Sequence, residues 1–187
     1  MQEENNAEKI KILFLHEAGV GTTNIINVTI GIPFNDRELS TSTFYFVDYS
    51  FIFKGNKYIL KLWDTIGKEQ FRSLTKILIK GSNIVIFVYD ITNRFTFCEL
   101  NYWISSAKQI LGENVIFGIM GAKIDLYFNQ EISDEEAYEF AESNKMKLKY
   151  VSAKDNPKGI TDFLEELASD YLLAFNDDIK LKKKNFP

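Results

Sequence analysis

A single cysteine, Cys98, among 187 residues excludes an internal disulfide and suits a reducing compartment. Positive charge is not in excess either. The 22 Lys and Arg against 26 Asp and Glu leave a net charge of −4, which offers no footprint for nucleic acid. No apolar run approaches the roughly eighteen residues of a membrane-crossing helix. There is no internal repeat and no low-complexity block, and the acidic, polar start "MQEENNAEK" is not a signal peptide. Residue 2 is not glycine and the closing "KLKKKNFP" has no cysteine, so no lipid anchor is expected in this chain. The basic end reads as a solvated tail or as a linker to further chain, with contact to an acidic membrane as a third alternative. The expected location is cytoplasmic, peripheral at membranes through partners.

What the chain does have is apolar residues at 45%, with sixteen Phe and nine Tyr, enough for one domain with an aromatic core. Strand-like runs occupy 9–15, 49–65, 83–90, 114–123 and 147–153, the second folded into a hairpin by the turn "KGN" at 54–56. A helical pattern runs through "NRFTFCELNYWISSAKQIL" and places Phe97, Leu100, Tyr102, Trp103, Ile104 and Ala107 around one face. In "ISDEEAYEFAESNK", Ser133 and Glu136 have the spacing of a capping box, ahead of Ala137, Phe140 and Ala141. The last pattern, "ITDFLEELASDYLLAF", is built on Ile160, Phe163, Leu164, Leu167 and Leu172. Buried strands alternating with helices predict an α/β fold, a mostly parallel sheet with one antiparallel edge strand and helices on both faces. The boundaries are a flexible lead-in at 1–8, one domain at 9–175 and the basic tail or linker at 176–187.

Ligands of such sheets bind outside the carboxyl ends of the strands. The first strand end, "HEAGVGTTN" (16–24), has the outline of a phosphate-binding loop, G-x-x-x-x-G-K-[ST]. Gly19 and Gly21 fit that outline. His16 occupies the first glycine position, however, and Thr22 the lysine position.

The other strand ends carry a resemblance. "KLWDTIGKEQFRSL" (61–74) resembles the Trp-Asp-Thr-Ala-Gly-Gln-Glu-Arg-Phe segment of Rab-type small GTPases of the Ras superfamily. "FVYDITNRFTF" (87–97), "GAKIDL" (121–126) and "VSAK" (151–154) follow in that family's order. The resemblance implies a six-stranded Ras-like P-loop G-domain that binds GDP or GTP with Mg²⁺. It assigns phosphate contacts to Gly19, Val20, Gly21, Thr22, Thr23 and Asn24, and metal contacts to Thr23, Thr41 and Asp64. Guanine recognition falls to Lys123, Asp125 and the Ser152–Ala153–Lys154 backbone, with Phe34 against the base. Catalysis falls to Gly67 and to Lys68, the latter in place of a water-orienting glutamine.

Departures from the pattern bear on each step. Thr22 brings a hydroxyl without charge, and Ala122 replaces the asparagine of Asn-Lys-x-Asp. Together these changes imply nucleotide binding at least roughly a hundredfold weaker than in an intact relative. His16 reads as a partly exposed turn histidine or as a replacement cation. Lys68 donates hydrogen bonds but accepts none, so hydrolysis is expected to be very slow or absent, and Ile66 crowds the loop beside Gly67. Lys68 reads either as a solvated side chain or as a charge beside the phosphates. Thr43 in place of a hinge glycine, and Leu78–Ile79 in place of two tyrosines, weaken the case for ordinary Rab effectors at the switch regions. Two functions remain open: a weak, slow guanine-nucleotide switch in vesicle trafficking, and a nucleotide-free scaffold for protein partners. A second G-domain in a longer native chain is a further expected partner.

Overall fold

Runs of Ile, Val and Phe with no polar alternation require cover on both faces, and the sheet provides it. In the computed structural model, which describes residues 7–37, 43–67, 69–112 and 114–175, six strands lie in the order β2-β3-β1-β4-β5-β6. They are β1 (Glu8–His16), β2 (Tyr45–Phe53), β3 (Asn56–Asp64), β4 (Ile84–Asp90), β5 (Ile116–Ala122) and β6 (Lys147–Val151). Only β2 runs antiparallel, paired to β3 with Phe53 opposite Asn56. The turn between them holds Lys54 and Gly55 at φ 49° and 78°, the left-handed pair that a two-residue hairpin requires.

The helices are α1 (Thr22–Thr29), α2 (Arg72–Ile79), α3 (Arg94–Cys98), α4 (Leu100–Ile110), α5 (Asp134–Ser143) and α6 (Pro157–Phe175). Two apolar cores result. Ile25 and Ile26 of α1 join Ile160, Phe163, Leu164 and Leu167 of α6 on one face of the sheet. Ile79, Phe97, Leu100, Trp103 and Ala137, from α2 to α5, cover the other. This is the doubly covered sheet that the apolar runs predict.

Three details differ from the sequence expectations. The helical run from residue 94 breaks at Glu99 into α3 and α4. The α5 capping box is half formed: Ser133 Oγ accepts from Glu136 N at 3.1 Å, whereas the Glu136 carboxylate turns to Arg94 at 2.7 Å. Finally α2, absent from the sequence reading, forms although Leu74 and Ile77 face outward at 46% and 65% exposure.

Because β1, β3, β4, β5 and β6 are parallel, their carboxyl ends converge on one edge. That edge gathers His16, Asp64, Asp90, Ala122 and Val151.

Candidate functional site

The loop after β1 turns into α1 through two glycines in the left-handed region, Gly19 at φ 83° and Gly21 at φ 93°. A side chain at either would be strained, so the loop backbone stays bare where a phosphate would approach. The loop opens onto a cleft of about 380 Å³ lined by residues 18–25, Phe34, Gly67, Ala122, Lys123, Asp125, Ala153 and Lys154. Apart from Thr41, Lys68, Asp64 and Ser152, every site residue assigned from the sequence is among its walls. Thr41 and Lys68 lie outside the described residues, as does the 176–187 tail.

At the end of the cleft beside β5 and β6, Ser152 is only 1% exposed and supports the site from behind. Its Oγ donates to Asp125 Oδ1 at 2.7 Å and accepts from Lys154 N and Asp155 N at 3.2 and 3.0 Å. One carboxylate oxygen of Asp125 is thereby held in place for a ligand. Lys123 has a left-handed backbone, φ 67°, which is costly for a side-chain-bearing residue unless its surroundings fix it. They do: Lys123 Nζ donates to Gly19 O at 2.8 Å and meets Asp90 Oδ2 at 2.7 Å. Asp90 is oriented in turn by Thr92, whose N–H and hydroxyl donate to Oδ1 at 2.9 and 2.7 Å. Phe34 forms a side wall at 39% exposure. Asn24 acts on the chain itself, its amide exchanging two 2.9 Å hydrogen bonds with the Asn35 backbone and so anchoring the loop that carries Phe34.

At the end beside α1, Thr23 Oγ1 donates to Asp64 Oδ2 at 2.7 Å, and Asp64 is fully buried. Hydroxyl and carboxylate oxygens suit a hard cation. Among the described residues, though, no group of three or more His, Cys, Asp or Glu can hold a metal. The pair is an oxygen donor set of the kind that suits Mg²⁺.

His16 corrects one expectation. It is the last residue of β1, not part of the turn, and only 6% exposed. Its Nδ1 donates to Glu17 O at 2.9 Å, while Nε2 lies 3.4 Å from Asp64 Oδ1. The buried ring also lines the cleft, beside Asp64. Thr22, at the lysine position, is 2% exposed, and its hydroxyl has no hydrogen-bond partner among the described residues.

A further network escaped the sequence reading. Glu17, 6% exposed, accepts from Arg72 Nη2 at 2.7 Å and from Trp103 Nε1 at 2.9 Å. Arg72 also reaches Glu99 at 2.6 Å and lies over the Tyr102 ring at 4.3 Å. Partial burial works against the guanidinium charge, but the bonds to Glu17 and Glu99 outweigh it and raise the Arg72 pKa above the ordinary value. The phosphate loop is thus tied to the start of α2. At the other end of α2, Lys11 Nζ donates to Leu78 O at 2.5 Å and Lys80 O at 2.9 Å, and burial lowers its pKa. Gly67 lies between, packed so closely that a Cβ would meet Ala18 N and Glu17 C at 2.5 Å. No local sequence signal marks these contacts.

Fold and cleft together define a P-loop G-domain with its phosphate-side cation replaced. A sequence model described as "Ras family" matches residues 11–172. Ras-related protein Rab-21 of Geodia cydonium is 36% identical over 166 residues, covering 89% of this chain and 72% of that protein. Rab-21 of Homo sapiens is 34% identical over 176 residues, 94% and 78% of the two chains. Ras-related protein RabC of Dictyostelium discoideum is 32% identical over 172 residues, 86% and 82%. The chain belongs to the Ras family and is a Rab-type small GTPase by sequence and fold.

Proposed function

We propose that this Rab-like protein binds GDP and GTP weakly, with Mg²⁺, hydrolyses GTP very slowly or not at all, and serves as a switch in vesicle trafficking. The observation that supports this reading is the buried Thr22 hydroxyl, without a hydrogen-bond partner among the described residues, in a cleft where Asp125 is held by Ser152 and Lys123 by Gly19 and Asp90. Asp125 would accept from the guanine N1 and N2 groups, Lys123 would lie along the ring, and Thr23 with Asp64 would hold the metal on the phosphate side. The trafficking role follows from the Rab resemblance. Effectors or regulators would meet the Phe46–Trp63 stack, with ring centroids 4.7 Å apart, and the outward Leu74 and Ile77.

Titration with a fluorescent GDP is expected to give saturable binding, abolished by a chelator and competed by GTP but not by ATP. No saturable signal at millimolar nucleotide would instead support a nucleotide-free scaffold, the reading favoured by Thr22 and Ala122.

Hydrolysis is expected to be nearly absent because Lys68 accepts no hydrogen bond from an attacking water. Lys68→Gln should raise turnover modestly, since Thr22 still leaves developing phosphate charge poorly neutralised. Combining it with Thr22→Lys should raise turnover beyond either single change. Single-turnover cleavage at saturating GTP separates this from a binding defect. Cleavage by the unaltered protein as fast as an intact small GTPase would refute the role given to Lys68.

A further inference from the structure

We infer that His16 Nε2 is a metal ligand, so that the divalent cation of this cleft is held by an imidazole nitrogen together with the Asp64 carboxylate, and first-row transition ions are selected over Mg²⁺. The inference rests on the metal reading given above for Asp64 and adds a ligand and a choice of ion.

His16 is the chain's single histidine, and it stands at 6% exposure in the wall of the cleft. Buried polar atoms are normally hydrogen-bonded. Nε2 has no hydrogen-bond partner among the described residues. The opposite ring nitrogen explains which tautomer is present. Glu17 O, 2.9 Å from Nδ1, can only accept, so Nδ1 carries the hydrogen and Nε2 of the neutral ring presents a lone pair. A backbone carbonyl on one nitrogen and a bare lone pair on the other is the arrangement by which proteins orient a metal-binding histidine.

Beside that lone pair is a carboxylate. Nε2 lies 3.4 Å from Asp64 Oδ1, with side-chain exposures of 7% and 0%. A hydrogen bond between them would ordinarily run about 2.7–3.2 Å. Two donors each about 2.1 Å from one metal ion stand about 3.0 Å apart at a right angle and about 3.4 Å apart at the tetrahedral angle. The separation suits a shared cation better than a shared proton. Thr23 Oγ1, which donates to Asp64 Oδ2 at 2.7 Å, fixes the carboxylate beside the ring. Among the described residues no third His, Cys, Asp or Glu joins the pair, so water or phosphate oxygens would complete the coordination. Mg²⁺ takes oxygen donors, whereas an imidazole strengthens binding along the series from Mn²⁺ to Co²⁺. The nitrogen therefore shifts the preference away from Mg²⁺.

Pulsed electron paramagnetic resonance of bound Mn²⁺ tests this, on protein without an added histidine tag, with and without GDP. Nitrogen coupling to the manganese is expected. Labelling the one histidine with ¹⁵N should convert the ¹⁴N signal to ¹⁵N, which separates it from guanine nitrogen. His16→Gln should abolish the coupling, weaken Co²⁺ by about tenfold or more, weaken Mn²⁺ less and leave Mg²⁺ within about threefold, read by competition titration. Bound Mn²⁺ without histidine coupling would overturn the inference. An equal loss for all three ions in the variant would do so too, since it marks a structural role. If the variant does not fold, labelling of the unaltered protein decides alone. Histidine-coupled Mn²⁺ in protein that takes up no fluorescent GDP would uphold this inference and overturn the nucleotide reading. GDP uptake with Mn²⁺ that lacks histidine coupling does the reverse. No bound Mn²⁺, with or without GDP, would overturn the metal part of both.

Discussion

Glu17→Ala is expected to lower stability by about 3 kcal/mol, because removing one partner of a buried ion pair strands the other. The carboxylate is 7% exposed and serves two donors, Arg72 and Trp103. The Trp103 indole N–H, on a residue 1% exposed, would lose its acceptor, and a buried unsatisfied donor costs about 1–3 kcal/mol. Arg72, 24% exposed, would keep Glu99 at 2.6 Å, which holds the total near the lower end of the range. Glu17→Gln retains an acceptor and should cost less than half as much. Urea denaturation measures both variants, with an unchanged slope expected. Hydrogen exchange over residues 72–79 should accelerate in Glu17→Ala more than over α6. A loss below about 1 kcal/mol, the range of exposed pairs, would show that the network carries no structural weight.

Thr22→Lys combined with Ala122→Asn is expected to tighten GDP binding by about a hundredfold or more. Both positions line the same cleft, Thr22 at the start of α1 and Ala122 at the end of β5. Ala122 pairs with Asp90 on one side and Val151 on the other, so an asparagine there would stand at the junction of the base and phosphate ends. Its neighbour Lys123 already bridges to Gly19. Groups that share a loop couple, so the double variant should exceed what the two single variants predict by addition. Competition against a fluorescent GDP gives the four affinities of the cycle. Unchanged affinity in the double variant would locate the obstruction elsewhere, with the buried His16 ring against Asp64 the first place to look.

The layout of the fold was legible because its signals are local. An unbroken run such as "NIVIFVYD" has to be a strand covered on both faces, and β4 is buried along its whole length. Lys123, Asp125 and Ser152 were picked out through the Rab resemblance of two short segments, and the structure brings those segments together at one cleft. What stayed hidden depends on approach between distant positions. Glu17 and Arg72 are separated by 55 residues, and nothing near Glu17 announces an arginine. His16 looked like a turn residue because glycines follow it, yet β1 extends one residue further and Asp64 arrives alongside from β3. α2 escaped notice although Leu74, Ile77 and Leu78 have the i, i+3, i+4 spacing of a helical stripe; Leu74 and Ile77 of that stripe face solvent, and Ile79 beside it turns to the core.

The fastening of α2 at both ends has a consequence for how that helix can move. Arg72 moors the first turn to the phosphate loop, and Lys11 moors the last turn to the central strand. A helix held at one end swings; held at both, it can only detach. While both moorings stand, the outward Leu74 and Ile77 keep the places they have here, and loss of the Glu17–Arg72 contact would free the first turn of α2 from the loop after β1.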